Sequence, residues 1–208
     1  MSFRLFGFPV TVDGGFLLIA LLLGAGRADY PVTLVIWVAV VFVSILVHEV
    51  GHAVAARVYG YAPSIRLYAM GGLTSWRTET EPVPGRRLVI SLAGPAAGFL
   101  VGGVVWAVRD LVPVESFALR VLVGDLLWVN IGWGALNLIP MYPLDGGHVL
   151  RSVLHAVRGP DDRLPLKISI GIGVAAAALA LLNGWLWAGF LAGLLTFENV
   201  RLLRQLGA

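Results

Sequence analysis

His48-Glu49-Val50-Gly51-His52 lies inside a stretch with the composition of a membrane helix. From Val32 to Val47 no residue is charged, and then two imidazoles and a carboxylate follow within five positions. Ionisable groups at membrane depth are costly and mark functional sites. On a helix, positions i and i+4 share a face one turn apart, so His48 and His52 can point at one metal ion with Glu49 beside it. Two histidine ligands plus a glutamate that takes the proton of a metal-held water is an arrangement suited to peptide hydrolysis. The bland alternative for Glu49 is an acid paired with an arginine, and its position between the histidines argues against that.

Composition sets the surroundings of this run. The 208 residues are 58% hydrophobic and 13% charged, with a mean hydropathy of +0.86. Soluble domains run near 25% charged, so the expectation is an all-α polytopic membrane protein. The apolar character extends over the whole length, which predicts a single integral-membrane domain over 1–208. The start, Met1 to Phe8, lacks a basic segment followed by a cleavable apolar one, so a removed signal peptide is not expected. Without cysteine there can be no disulfide, iron–sulfur cluster or thiolate metal site. Any metal must be held by His, Asp or Glu. The formal charge of +3 reads as loop arginines that orient the chain in the bilayer, not as a nucleic-acid surface.

A span needs about 20 mostly apolar residues. The candidates number about six. Gly14–Gly26 is short and follows an extended segment, Phe3–Val12. Val32 to about Arg57 carries the histidines. Leu88–Val108 is uncharged and holds Gly94-Pro95, Gly98 and Gly102-Gly103, small residues that let helices approach closely. Val121–Ile139 ends at Pro140. Ile168–Phe197 is too long for one upright crossing, and Asn183-Gly184 predicts a turn that splits it, the last helix extending toward Leu206. Between the second and third spans, Ile65–Trp76 reads as a membrane-associated β-hairpin around Gly71-Gly72. With six spans, every basic residue except Arg27, Arg109 and Arg120 falls on one side, Arg77 among them. That puts both termini in the cytoplasm of a plasma or inner membrane. A transporter would carry paired polar spans or an internal repeat, and neither is present.

The fourth span runs into Met141-Tyr142-Pro143-Leu144-Asp145-Gly146-Gly147-His148. Two prolines and two glycines force the backbone out of helix there. Unwound backbone at membrane depth must be buried in protein or line a wet cavity. A short amphipathic helix, about Gly147–Val157, is expected next. Asp145 is a third metal ligand or the N-cap of that helix. Asn137 either satisfies backbone freed by Pro140 or binds a substrate peptide. His155 is expected at the surface, and Asp125 at the interface or paired with Arg120.

The two separated motifs resemble the site-2 protease family of intramembrane zinc metalloproteases. His48-Glu49-Val50-Gly51-His52 matches that family's HExxH, and Asn137 to Gly147 matches its Asn/Pro/Pro–Leu-Asp-Gly pattern. Ser91-Leu92-Ala93-Gly94-Pro95 is similar to its Gly-Pro segment. The resemblance covers about 32–150, a three-helix catalytic core, with accessory helices at about 10–26 and 166–206. It implies that His48, His52 and Asp145 bind one zinc ion (Zn2+) and that Glu49 activates a zinc-bound water. It further implies that Asn137 and the hairpin, with Gly71 and Gly72, handle substrate. The implied substrates are single-span membrane proteins such as anti-sigma factors or membrane-tethered regulators, cut in regulated intramembrane proteolysis. The chain departs from some relatives in having no room for a PDZ domain or a CBS pair. Where the family often carries Asn, it has Gly98.

Overall fold

The computed structural model describes residues 1–76, 82–111 and 116–207, so Arg77 lies outside the described residues. The chain forms two compact units, 1–81 with 92–136, and 82–91 with 137–208.

The first unit is built on a four-stranded sheet, which the expectation of an all-helical protein with one hairpin understated. Strands β1 (Ser2–Leu5), β2 (Phe8–Val12), β3 (Pro63–Tyr68) and β4 (Gly71–Trp76) lie in the order β1-β2-β3-β4. The two hairpins are joined by a parallel pairing of Val10 with Ile65 and Val12 with Leu67. Alternation explains the register: Phe8, Val10, Val12, Ile65 and Leu67 are buried while their neighbours are more exposed. The turn of the second hairpin falls at Ala69-Met70, and Gly71-Gly72 open β4.

Helix α1 (Gly14–Leu23) has 10 residues. At about 1.5 Å per residue it covers only half of a ~30 Å hydrocarbon core. Gly24 is its C-cap, at a position where a side chain would meet Trp37 and Leu34, and a short 3-10 turn at Ala25–Arg27 leads to α2. Among the described residues, five helices rather than six are long and apolar enough to cross a membrane. In this unit they are α2 (Pro31–Val58), α3 (Pro84–Val108, which begins in the second unit) and the run Phe117–Asn137. That run consists of α4 (Phe117–Leu127), a π-helical turn at Trp128–Trp133, and α5 (Gly134–Asn137). Fully buried Ala53 and the sheet residues belong to one core with Trp37, Val40, Val41 and Val129. α2 and α3 meet at small residues, since a Cβ on Gly51 would stand 2.4 Å from the Ala93 carbonyl oxygen.

Asp125 on α4 pairs with Arg27, not with Arg120. The guanidinium donates to both carboxylate oxygens at 2.5 and 2.7 Å and lies 4.6 Å from the Trp37 ring centre. Residues nearly a hundred positions apart meet here because the α1–α2 connection is folded against α4.

The second unit contains α6 (Asp145–Arg158) and the long hairpin α7 (Arg163–Leu182) and α8 (Leu186–Gln205). The break at Asn183-Gly184 falls where the turn signal predicted it, with Gly184 at φ +73. His155 is not a free surface residue. Its Nε2 is 2.9 Å from the Asp162 carboxylate, and its side chain is only 9% exposed. Arg151 donates to the same carboxylate.

Candidate functional site

Within the first unit, α2 carries His48, Glu49 and His52 on adjacent positions of its last turns. The Nε2 atoms of His48 and His52 are 3.1 Å apart, with their rings at 80°. Two nitrogens held tetrahedrally at about 2.0–2.1 Å from zinc stand about 3.3–3.4 Å apart. The pair therefore converges on a point as two ligands of one ion do. With no cysteine in the chain, the remaining donors must be nitrogen or oxygen, which suits zinc.

Space around these side chains is kept by glycine. A Cβ on Gly94 would stand 2.2 Å from Nε2 of His52. A Cβ on Gly72 would stand 2.4 Å from Cγ and Oε1 of Glu49. Neither contact is possible for real atoms, so α3 and β4 reach the histidine and the glutamate only because these positions lack side chains. Gly94 had been legible as a helix-packing residue; its role toward His52 had not.

Glu49 is buried, with 5% of its surface exposed. Its Oε2 accepts a hydrogen bond from Thr74 Oγ1 at 2.7 Å. A buried carboxylate needs such a donor, because loss of hydration is otherwise uncompensated. This arrangement replaces the arginine-paired alternative for Glu49. Thr74 was missed in the sequence, where it reads as one more β-branched strand residue.

One turn before His48, Ser44 Oγ accepts from Nδ2 of Asn130 at 2.8 Å, and the same amide reaches the Leu126 carbonyl at 2.9 Å. Asn130 lies in the π-helical turn. Gly98 faces it, 3.3 Å from its would-be Cβ to the Asn130 carbonyl oxygen. The pair ties the third long span to α2 beside the histidines.

Within the second unit, Asp145 is the first residue of α6. The N-cap is Leu144, which makes no side-chain capping bond, and Asp145 is the first helical residue, so Asp145 does not occupy the N-cap position. Its Oδ2 accepts from Nδ2 of Asn137 at 2.5 Å. Asn137 thus orients the acid. Gly146 and Gly147 let the first turn of α6 lie on unwound backbone, since a Cβ on Gly146 would be 2.1 Å from the Leu138 carbonyl oxygen.

The model of peptidase family M50 matches residues 36–115 and 112–182. A zinc metalloprotease of Methanocaldococcus jannaschii is 30% identical over 154 residues, which are 73% of this chain and 44% of that protein. A relative from Synechocystis sp. is 30% identical over 174 residues, 76% of this chain and 45% of its own length. The chain therefore spans about half the length of these curated relatives. A solved structure, the site-2 protease from Methanocaldococcus jannaschii, superposes with a TM-score of 0.65 at 25% identity, covering 97% of this chain and 94% of that one. The apolar spans, the zinc-type histidine pair and these matches agree: the chain is an integral membrane member of peptidase family M50 with the fold of a site-2 protease.

Proposed function

We propose that this chain is a zinc metalloendopeptidase that hydrolyses peptide bonds within or near the spanning segment of membrane-protein substrates. The observation that carries the reading is a buried glutamate, hydrogen-bonded by Thr74, on the helix whose two imidazoles converge at 3.1 Å. His48, His52 and Asp145 are the ligand set. Asp145 enters it as the acid of the second family motif, with one oxygen already oriented by Asn137. Zinc in such a set polarises a scissile carbonyl and lowers the pKa of water.

The residues of the chain do the rest. Glu49 takes the proton of the attacking water and returns it to the leaving amine. Thr74 holds the carboxylate in place for both transfers. β4 is the terminal strand of its sheet and lies beside α2. An unwound stretch of substrate pairs with its free edge at Gly71 and Gly72, which exposes a peptide bond that a helix hides. Asn137 bonds to Asp145, so a substrate contact would have to use its remaining amide oxygen. Single-span regulators, anti-sigma factors among them, are the substrate class that the family resemblance favours.

The distribution of basic residues supports cytoplasmic termini. β1 and β2 share a sheet with β3 and β4, which puts the amino terminus at the same end of α2 as the connection that follows it.

The test is co-expression of a single-span substrate with wild-type protein and Glu49→Gln. Fragments are expected with wild type alone, while the variant keeps its zinc. Cleavage by Glu49→Gln would overturn the assignment of Glu49. Undiminished zinc in His48→Ala and Asp145→Ala would overturn the ligand set.

A further inference from the structure

The unwound segment between Asn137 and Asp145 contains two prolines, Pro140 and Pro143, which have no N–H to donate. Its internal bonds are few: Met141 N–H to the Ile139 carbonyl at 2.7 Å and Leu144 N–H to the Met141 carbonyl at 2.9 Å. Tyr142 lies at its centre, and helices far along the chain hold both of its peptide groups. Its N–H donates to Ser169 Oγ on α7 at 3.3 Å. Its carbonyl accepts from Nδ2 of Asn199 on α8 at 2.8 Å.

Both side chains are sealed from the surroundings, Ser169 at 0% and Asn199 at 1% exposure. Each is also anchored to its own helix, Ser169 to the Pro165 carbonyl at 2.9 Å and Asn199 to the Leu195 carbonyl at 2.7 Å. Met141, 4% exposed, completes the seat. Its sulfur lies 2.9 Å from where a Cβ on Gly173 would stand, and Thr196 closes the same spot. Polar side chains are costly in the apolar interior of a helical hairpin unless they bond to something. Here they bond to the backbone three residues before Asp145.

We propose that Ser169 and Asn199 are positioning residues for the metal site: by clasping the Tyr142 peptide groups from α7 and α8, they set the direction in which Asp145 leaves the loop. The α7–α8 hairpin is then part of the metal-binding machinery and not only a membrane anchor. The loop cannot hold this shape alone, because its prolines remove two donors and its own bonds link only near neighbours. Gly147, whose Cβ would be 2.6 Å from the Tyr142 nitrogen, transmits the position of Tyr142 to the first turn of α6. The inference rests on Asp145 being a zinc ligand.

The experiment measures zinc affinity of the full chain by competition with a chelator in detergent, together with the melting temperature of the metal-stripped protein. Asn199→Leu and Ser169→Ala are each expected to weaken zinc about tenfold, the lower end for loss of outer-shell support. Asn183→Leu is the control. Among the described residues the Asn183 side chain bonds the Leu179 carbonyl on its own helix, at 2.8 Å, and its substitution is expected to leave zinc affinity unchanged. If Asn199→Leu does not fold, Ser169→Ala decides. Affinity within twofold of wild type in the folded variants, with Asp145→Asn weakened, overturns the clasp alone. Unchanged affinity in Asp145→Asn overturns the ligand assignment and the clasp with it.

Discussion

Thr74 Oγ1 stands 2.7 Å from the carboxylate Oε2 of Glu49 and 3.0 Å from the carbonyl oxygen of the same residue. One hydroxyl on a strand thus addresses both the side chain and the backbone of the glutamate on α2. The contact joins sheet and helix at the point where the chemistry is proposed.

Thr74→Val removes the hydroxyl and keeps the shape. A hydrogen bond to a charged group contributes about 1.5–3 kcal/mol, so peptidase activity is expected to fall at least about tenfold. Zinc content should stay at the wild-type level. Activity assays paired with metal analysis check this, and unchanged turnover would exclude a role for Thr74 in holding Glu49.

Gly72→Ala and Gly94→Ala separate the two halves of the site on α2. The added methyl at 72 meets Glu49, while the one at 94 meets the His52 ring. The first variant is expected to lose activity and retain zinc. The second is expected to bind zinc at least about tenfold more weakly, as displaced ligands do. The same zinc affinity in both would mean that neither glycine is specific to its neighbour.

Breaking the Arg27–Asp125 pair should destabilise the fold. Asp125 is 9% exposed and Arg27 is 32% exposed at the side chain. Removing one partner from a buried pair costs about 3–5 kcal/mol, and the exposure of Arg27 puts Asp125→Leu or Arg27→Met at about 2 kcal/mol. The double variant should be closer to wild type than either single one, because no charge is left unpaired. Thermal unfolding in detergent gives the comparison.

Asp162, at the start of α7, should contribute acid-sensitive stability. The hydrogen-bonded Arg151 guanidinium holds its carboxyl below the ordinary value of 3.8, against a partial burial that pushes it up. The charge of Arg151 and a protonated His155 add to the lowering. A carboxyl depressed in the folded state stabilises it above the unfolded pKa, and that contribution disappears as pH falls through the folded value. The melting temperature of Asp162→Asn should therefore be lower than that of wild type at neutral pH, with the gap closing below about pH 4. A gap that does not shrink as pH falls below about 4 would show that charge is not its cause.

Much of the helical framework was legible in the residue string, for a simple reason. Long uncharged runs have few fates: Val32–Val47 and Leu88–Val108 each became part of one long apolar helix, and Ile168–Phe197 was divided between two. The Asn183-Gly184 break was legible because glycine accepts positive φ at a helix end. Gly14–Gly26 became a helix only over Gly14–Leu23, because apolar composition does not reveal where a helix stops, and Gly24 is its C-cap. The parallel pairing of β2 with β3 was also invisible: strand partners more than fifty residues apart leave no local periodicity.

The chain by itself determined a membrane protein, the i, i+4 histidine pair with its glutamate, and an acid in a proline–glycine turn. Each follows from short-range rules: lipid solubility, helical repeat and turn chemistry. The tertiary structure alone decided which groups serve those residues. Thr74 meets Glu49, Gly94 admits His52, Arg27 takes Asp125, and Ser169 and Asn199 hold the turn before Asp145. Such partners are chosen by packing between elements distant in the chain, and their residue types, a threonine, a glycine or an asparagine, look the same whether or not a partner is near.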